Sequence, residues 1–291
     1  MRYSNLGRSG LKVSRVSLGS WLTIGNVVDQ LTSDSMVRRA LDLGINLFDT
    51  ADVYNMGEGE LALGKSIRGL RRESLVIASK CYFPMSDEVN DRGLSRKHVF
   101  ESIDASLRRI GTDYLDLYQC HRPDPQTPVE ETAMAMHDLI RQGKMLYWGV
   151  SYWPARLIVQ AVQFCRTHGM HAPISNQPPY NLLNREIEAE VMPAAADIGV
   201  TQIVFSPLAQ GVLSGKYPPG EQPVGDTRAA DGRINRFIGR YMERDQLERA
   251  AKLVALAREA GHTATRVALA WCLRLPEISS VIIGARNTSQ L

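Results

Sequence analysis

The chain predicts an α/β fold, a (β/α)8 TIM barrel, and two observations carry that expectation. Short, continuously apolar runs alternate with longer amphipathic segments, and repeated βα units make a parallel sheet covered on both faces. There are eight such runs, which favours closure into a barrel over an open, doubly wound sheet. The 291 residues suit one barrel domain spanning 1–291, since such barrels typically run to about 250 residues.

The elements follow in order. A hairpin through Gly7 and Gly10 precedes the first barrel strand at 16–18. The other strands are expected at 46–49 (NLFD), 75–79 (LVIAS), 115–119 (LDLYQ), 145–150, 174–177, 202–205 and 280–283 (SVII). A helix over 33–43 ends at Gly44. Ser95 precedes a helix with Val99, Ile103 and Leu107 on one face, stopped by Gly111, as a serine N-cap and a left-handed glycine would dictate. Thr127-Pro128-Val129-Glu130 reads as a capping box with proline at the first helical position. That helix carries Val129, Ala133, Met136 and Ile140 at helical spacing and ends at Gly143. Pro154 opens another, with Leu157, Ala161 and Cys165 before Gly169.

Two segments break the rhythm. Residues 211–232 are rich in glycine and proline and read as a long functional loop after the seventh strand. The eighth strand is followed only by 284–291, so the final helix of a complete barrel is missing. Either the sequence stops short of the natural protein or something else covers that strand.

Composition narrows the function. Hydrophobic residues make up 44% and charged residues 22%, near the average for globular proteins, which excludes disordered and fibrous classes. The net charge of +3 is mild and scattered. Even the cluster Arg68, Arg71, Arg72 reads as solvated surface, so no nucleic-acid partner is expected; a small anionic ligand fits better. No secretory signal and no apolar run of about 20 residues is visible, which predicts a cytoplasmic protein without membrane insertion. Cys81, Cys120, Cys165 and Cys272 lack CxxC spacing, as in reduced intracellular proteins. The six histidines show no ligand spacing, so no metal is expected and a metal-dependent hydrolase is disfavoured. Gly57-Glu58-Gly59 with Gly64 lacks GxGxxG spacing and reads as a turn opening a helix.

Active residues of α/β barrels sit at the carboxyl ends of strands and in the following loops. There the chain offers Asp49, Tyr54, Lys80 and His121. Each alone has a plain structural reading: a helix cap or ion pair, loop packing, a solvated strand end, a satisfied loop histidine. Together they suit proton donation to a carbonyl oxygen while hydride arrives at its carbon. Lys80 would lower the Tyr54 pKa from about 10, and Asp49 would keep Lys80 charged. Tyr54 would then be the general acid, with His121 orienting the carbonyl. Trp21, Tyr82 and Phe83 either line a substrate pocket with Tyr54 and His121 or simply pack. An aromatic mouth favours apolar or aromatic carbonyl substrates.

The stretches DTADVYNMGEGELALGKSI, VIASK, LYQCHRPD, WGVSYW, NQPPYN, FSPLAQGVLSGKY and VIIGARNTSQL resemble the successive signatures of the aldo-keto reductases, over nearly the whole chain and in the family's order. SPLAQGVLSGKY and AWCLR are similar to the branch of potassium-channel beta subunits and their bacterial relatives. The resemblance implies a (β/α)8 barrel that binds NADP(H) without a Rossmann domain, with Asp49, Tyr54, Lys80 and His121 as catalytic residues. It implies that Ser151 and Gln177 hold the nicotinamide carboxamide and that Phe205 stacks on its ring, with Gly19, Ser20, Trp21 and Asp49 nearby. Tyr152 stands where many relatives have asparagine or arginine. Ser206, Pro207, Leu208, Gln210, Gly211, Lys216 and Arg228 match the loop over the pyrophosphate; Gly284, Arg286 and Gln290 match the adenosine end. A guanidinium at Arg286 can grip a 2′-phosphate through two bonds, which favours NADPH over NADH. The expected activity is reduction of small aldehydes or ketones. The alternative is a regulatory subunit that senses bound NADP(H); relatives of that kind often depart from the family at the catalytic histidine, which is present here as His121. A homo-oligomer is compatible with the resemblance.

Overall fold

In the computed structural model, which describes residues 1–225 and 227–291, eight parallel strands close into a barrel. An antiparallel hairpin precedes it, β1 (Tyr3–Asn5) against β2 (Lys12–Ser14), with Tyr3 opposite Ser14. The barrel strands are β3 (Val16–Gly19), β4 (Leu47–Asp49), β5 (Val76–Cys81) and β6 (Leu115–Cys120). They continue with β7 (Met145–Val150), β8 (Ser175–Asn176), β9 (Thr201–Phe205) and β10 (Ile278–Ile283). The strands pair in chain order, and β10 returns to β3 with Val281 opposite Val16. The expected TIM barrel with an N-terminal hairpin is present.

Side chains alternate across a strand, and this decides which of them fill the barrel. Leu47, Val76, Ala78, Leu117, Ile203 and Ile282 form one buried cluster with Leu6 and Val13 of the hairpin region. That cluster is the barrel interior, closed at its amino end by the hairpin. The intervening residues Phe48, Ile77, Tyr118 and Trp148 join the layer between strands and helices, with Met36, Leu63, Val99, Met136 and Ile158. Every residue of β5 and of β6 is buried, so both faces must be apolar or paired. Asp49, Lys80 and Gln119 share the inward parity at the carboxyl end, with Lys80 opposite Gln119 across the ladder.

The helices are α1 (Gln30–Asp42), α2 (Glu58–Ile67), α3 (Arg96–Ile110) and α4 (Val129–Arg141). They are followed by α5 (Ala155–Thr167), α6 (Val191–Asp197), α7 (Arg244–Glu259) and α8 (Ala264–Cys272). Ser95 caps α3 by accepting from His98 N at 3.3 Å. Helix α1 begins earlier than expected because Asp29 accepts from Thr32 N at 2.7 Å. The capping box at Thr127 does not form. Its hydroxyl donates instead to Asp124 Oδ2 at 2.8 Å, a charged acceptor three residues back, and Pro128 is the cap without a side-chain bond.

Among the described residues, the segment after β9 has no regular element from 215 to 232, as its glycine- and proline-rich composition suggests, but it is structured at both ends. It forms 3-10 turns at Ala209–Ser214, Asn235–Phe237 and Gly239–Tyr241. These pack Val212, Leu213, Tyr217 and Tyr241 against Leu247 of α7 and Ala268 of α8. Beyond β10 a short turn, Thr288–Gln290, packs against α1, and α8 supplies Cys272 and Leu269 to the cluster containing Ile278 and Val281. Among the described residues, no helix is long and apolar enough to cross a membrane.

Candidate active site

The centre is built on Lys80. Its ammonium has no solvent exposure and donates to Asp49 Oδ2 at 2.6 Å, to the Thr50 carbonyl at 2.7 Å and to the Tyr54 hydroxyl at 3.1 Å. All three donors are thereby used. Asp49 is held from its other oxygen by Gln177 Nε2 at 2.8 Å and by Gln119 Nε2 at 3.4 Å. Four strands or their following loops thus meet at one carboxylate.

Electrostatics set the protonation states. Burial alone would pull Lys80 down, but Asp49 and then Tyr54 outweigh it, so its pKa lies above the ordinary lysine value. Burial pushes the Tyr54 phenol up, and Lys80 pulls it back only in part. The expected net lowering of Tyr54 therefore has the wrong sign: desolvation of phenolate exceeds the attraction of the ammonium. His121 is held well below the ordinary imidazole value, first by burial and then by Lys80 and Arg122. At neutral pH the centre presents a charged amine, an intact phenol and a neutral imidazole.

These groups open into a cavity of about 990 Å³ at the carboxyl face. Tyr54 is only partly buried because it lines this space. Its ring meets His121 edge-on, with centroids 5.6 Å apart, and Phe83 meets His121 at 5.0 Å. The seventeen positions matched to a cofactor, from Gly19 and Ser20 through Ser206 and Pro207 to Gln290, all line the same cavity. Lys216, Arg228 and Arg286 give it positive charge, while Ser151 donates to the Gln177 carbonyl at 2.7 Å. Arg228 donates to Gln210, which reaches Ser206 Oγ at 2.5 Å. Arg286 pairs with Asp231 at 3.4 Å.

Strain concentrates at this rim. Among the described residues, the non-glycine positions with positive φ are Leu22, Asn55, Met56, Tyr152, Ser206, Ala209 and Gln210. All lie in loops that leave the carboxyl ends of strands, where over-determined backbone commonly serves a site. Gly25 has φ of 72° and no room for a Cβ, which would sit 2.4 Å from the Glu58 carbonyl. Asn55 Nδ2 donates to the Gly25 carbonyl at 2.6 Å. The loop bearing Trp21 is thereby locked to the loop bearing Tyr54.

Behind Tyr54 lies a second buried set. Asp52 and Glu60 have no solvent exposure. Asp52 accepts from Ser102 at 3.0 Å and from Val53 N at 2.6 Å. Glu60 accepts from Ser79 at 2.5 Å and from Arg109 at 2.6 Å. Burial, with repulsion from Glu60, pushes Asp52 up to about 8.

Of the aromatic residues considered for substrate, Trp21 and Phe83 line the cavity and Tyr82 does not. Tyr82 packs on Phe83 at 5.2 Å and on the helix-side core. Residues that sequence reasoning left out also line the wall: Arg122, Arg236, Phe237 and Arg240. Arg122 was signalled by its place beside His121. Phe237, 4.9 Å from Trp21, sits among 3-10 turns with no periodic pattern. The four cysteines are free and buried.

Fold and cavity define a (β/α)8-barrel protein whose candidate chemistry sits at the carboxyl ends of its strands. The chain belongs to the Aldo/keto reductase family, whose sequence model matches residues 15–291. Similar curated proteins include a "Probable voltage-gated potassium channel subunit beta" of Oryza sativa subsp. japonica, 40% identical over all of this chain and 89% of the relative. One of the same name from Arabidopsis thaliana is 42% identical over the same shares. A "Putative voltage-gated potassium channel subunit beta" of Schizosaccharomyces pombe is 39% identical over 98% of this chain and 85% of its own length.

Proposed function

We propose that this chain is a cytoplasmic, NADPH-dependent reductase of small aldehydes or ketones. The observation that carries the reading is the Tyr54 hydroxyl, 3.1 Å from a buried ammonium that Asp49 keeps charged, at the edge of a cavity with room for cofactor and substrate.

The residues present fit NADP(H). Lys216, Arg228 and Arg286 line the cavity and suit phosphate groups. Gln177 Nε2 is occupied by Asp49, which leaves its Oε1 as the acceptor for a carboxamide N–H. Phe205 lines the same wall and suits stacking on a flat ring. When bound, NADPH would supply the hydride for the carbonyl carbon.

The protein's own groups manage the proton. Tyr54, protonated at neutral pH, donates its hydroxyl hydrogen to the carbonyl oxygen. Lys80 stabilises the phenolate that this leaves, and Asp49 preserves the charge on Lys80. His121 Nδ1 is buried without a partner, so the tautomer carrying hydrogen on Nε2 costs least and offers that N–H to the carbonyl oxygen. In the reverse direction Tyr54 is the base.

The test is NADPH consumption with a broad aromatic aldehyde, wild type against Tyr54→Phe. A fall of about a hundredfold or more supports the assignment; undiminished turnover refutes it. A second reading rests on the names of the similar proteins: a regulatory subunit that senses NADP(H) and assembles with a partner or with copies of itself. Tight NADPH binding without turnover of any aldehyde would favour it.

A further inference from the structure

The cavity carries more positive charge than a dinucleotide uses. Among the described residues, five arginines and one lysine line it, against a single carboxylate, Asp49. Asp49 is taken by Lys80. Lys216, Arg228 and Arg286 are accounted for by the proposed cofactor. Arg122, Arg236 and Arg240 are left over, and none of them is in an ion pair among the described residues.

Arg122 is the best placed of the three. It follows His121 directly, at the carboxyl end of β6, and is half-buried in the wall. Its Nη1 donates to the His121 carbonyl at 2.6 Å. Its guanidinium lies over the Tyr152 ring at 4.1 Å and beside the Phe83 ring at 5.3 Å. Stacking uses the faces of a guanidinium and leaves its edges, and arginine has five donors of which this carbonyl takes one. A cation that burial has partly stripped of water, without a counter-charge, costs stability. Arg240 lines the same cavity and donates through Nη2 to the Tyr241 hydroxyl at 2.8 Å. It and Arg122 both act electrostatically on Tyr152, so one strained tyrosine, with φ of 60°, sits between two guanidiniums without a counter-charge.

We propose that Arg122, with Arg240 across Tyr152, anchors an anionic group of the substrate. The preferred substrates are then carbonyl compounds that carry a carboxylate or a phosphate. This rests on the reductase reading above. Because Arg122 and His121 are adjacent, anion and carbonyl are held from one strand end, and short molecules satisfy both.

The experiment compares substrate pairs that differ in charge. 4-Carboxybenzaldehyde is set against its methyl ester, and 4-formylphenyl phosphate against 4-methoxybenzaldehyde. The ratio of kcat/KM for the charged over the neutral member is measured in wild type, Arg122→Met and Arg122→Lys. The wild type favours the charged member of at least one pair, and the favoured pair identifies carboxylate or phosphate. That ratio falls by about ten- to a hundredfold in Arg122→Met and less in Arg122→Lys, which keeps the charge without the fork. Equal ratios in wild type and Arg122→Met overturn the anchor while leaving the reductase reading intact. If no aldehyde is turned over, the reductase reading fails by itself, and binding of benzoate and of phenyl phosphate to the NADP-loaded protein decides the anchor. Weaker binding to Arg122→Met supports it; unchanged binding overturns it.

Discussion

The Lys80 ammonium lies 2.6 Å from the Asp49 carboxylate, with side-chain exposures of 0% and 4%. Two charges so placed depend on each other. Removing one partner leaves the other buried and uncompensated, which costs about 3–5 kcal/mol. Asp49→Asn should therefore lower stability by about that amount in urea unfolding. Adding Lys80→Met should restore part of the loss, because the orphaned charge goes with it. Strictly additive losses in the double variant would contradict the coupling.

For the carbonyl reduction proposed above, in which His121 and Tyr54 meet the carbonyl oxygen, the protonation states predict a broad pH plateau. His121 acts as the neutral imidazole, and its pKa is depressed, so the acid limb lies below about pH 6.5, the ordinary histidine value. Tyr54 acts as the intact phenol, and its pKa is raised, so the alkaline limb lies above about pH 10. A kcat/KM profile flat from about pH 7 to 9 is the expected result. An alkaline limb inside that range would mean that bound cofactor reverses the balance between burial and Lys80 at Tyr54.

The barrel was legible because its strands are buried on both faces, and such strands read as unbroken apolar runs. The rim set was legible for a related reason. Period-two alternation places Asp49, Lys80 and Gln119 inward together, although Gln119 drew no notice because amides are common at strand ends. Tyr82 and Phe83 part company in the loop after β5, where Phe83 lines the cavity and Tyr82 packs on the helix-side core, and the sequence did not say which would face inward. The sign of the Tyr54 shift depends on how much water the fold removes, which no spacing encodes. Arg236, Phe237 and Arg240 come from irregular turns without period. The Thr127 cap failed because Asp124, three residues earlier, offers a charged acceptor to the same hydroxyl.

Arg286 predicts the choice of dinucleotide. It lines the cavity and pairs with Asp231 at 3.4 Å, and its guanidinium fork suits a phosphate through two bonds. Arg286→Ala should weaken NADPH binding by about ten- to a hundredfold, the loss expected for hydrogen bonds to a charged group, with little effect on NADH. Fluorescence titration of both dinucleotides checks it. Equal weakening of both would assign Arg286 to the fold of the rim instead of to the 2′-phosphate.

Asp52 predicts how stability depends on pH. Its pKa is about 8 in the folded chain and about 3.9 when unfolded. Between those values the folded chain holds a proton that the unfolded chain has lost, so stability falls as pH rises through the window. The contribution is complete below about pH 4 and gone above about pH 8. Asn at position 52 has no such proton, so Asp52→Asn should lose less stability than wild type between pH 5 and pH 9, by on the order of 1 kcal/mol or more, each pKa unit being worth about 1.4 kcal/mol. Because Glu60 contributes to the shift, Glu60→Gln should narrow the same window from the other side of the pair. Thermal unfolding at both pH values is the measurement. Parallel pH dependences in wild type and Asp52→Asn would mean that Asp52 is ionised in the folded protein, held so by Ser102 and the Val53 N–H.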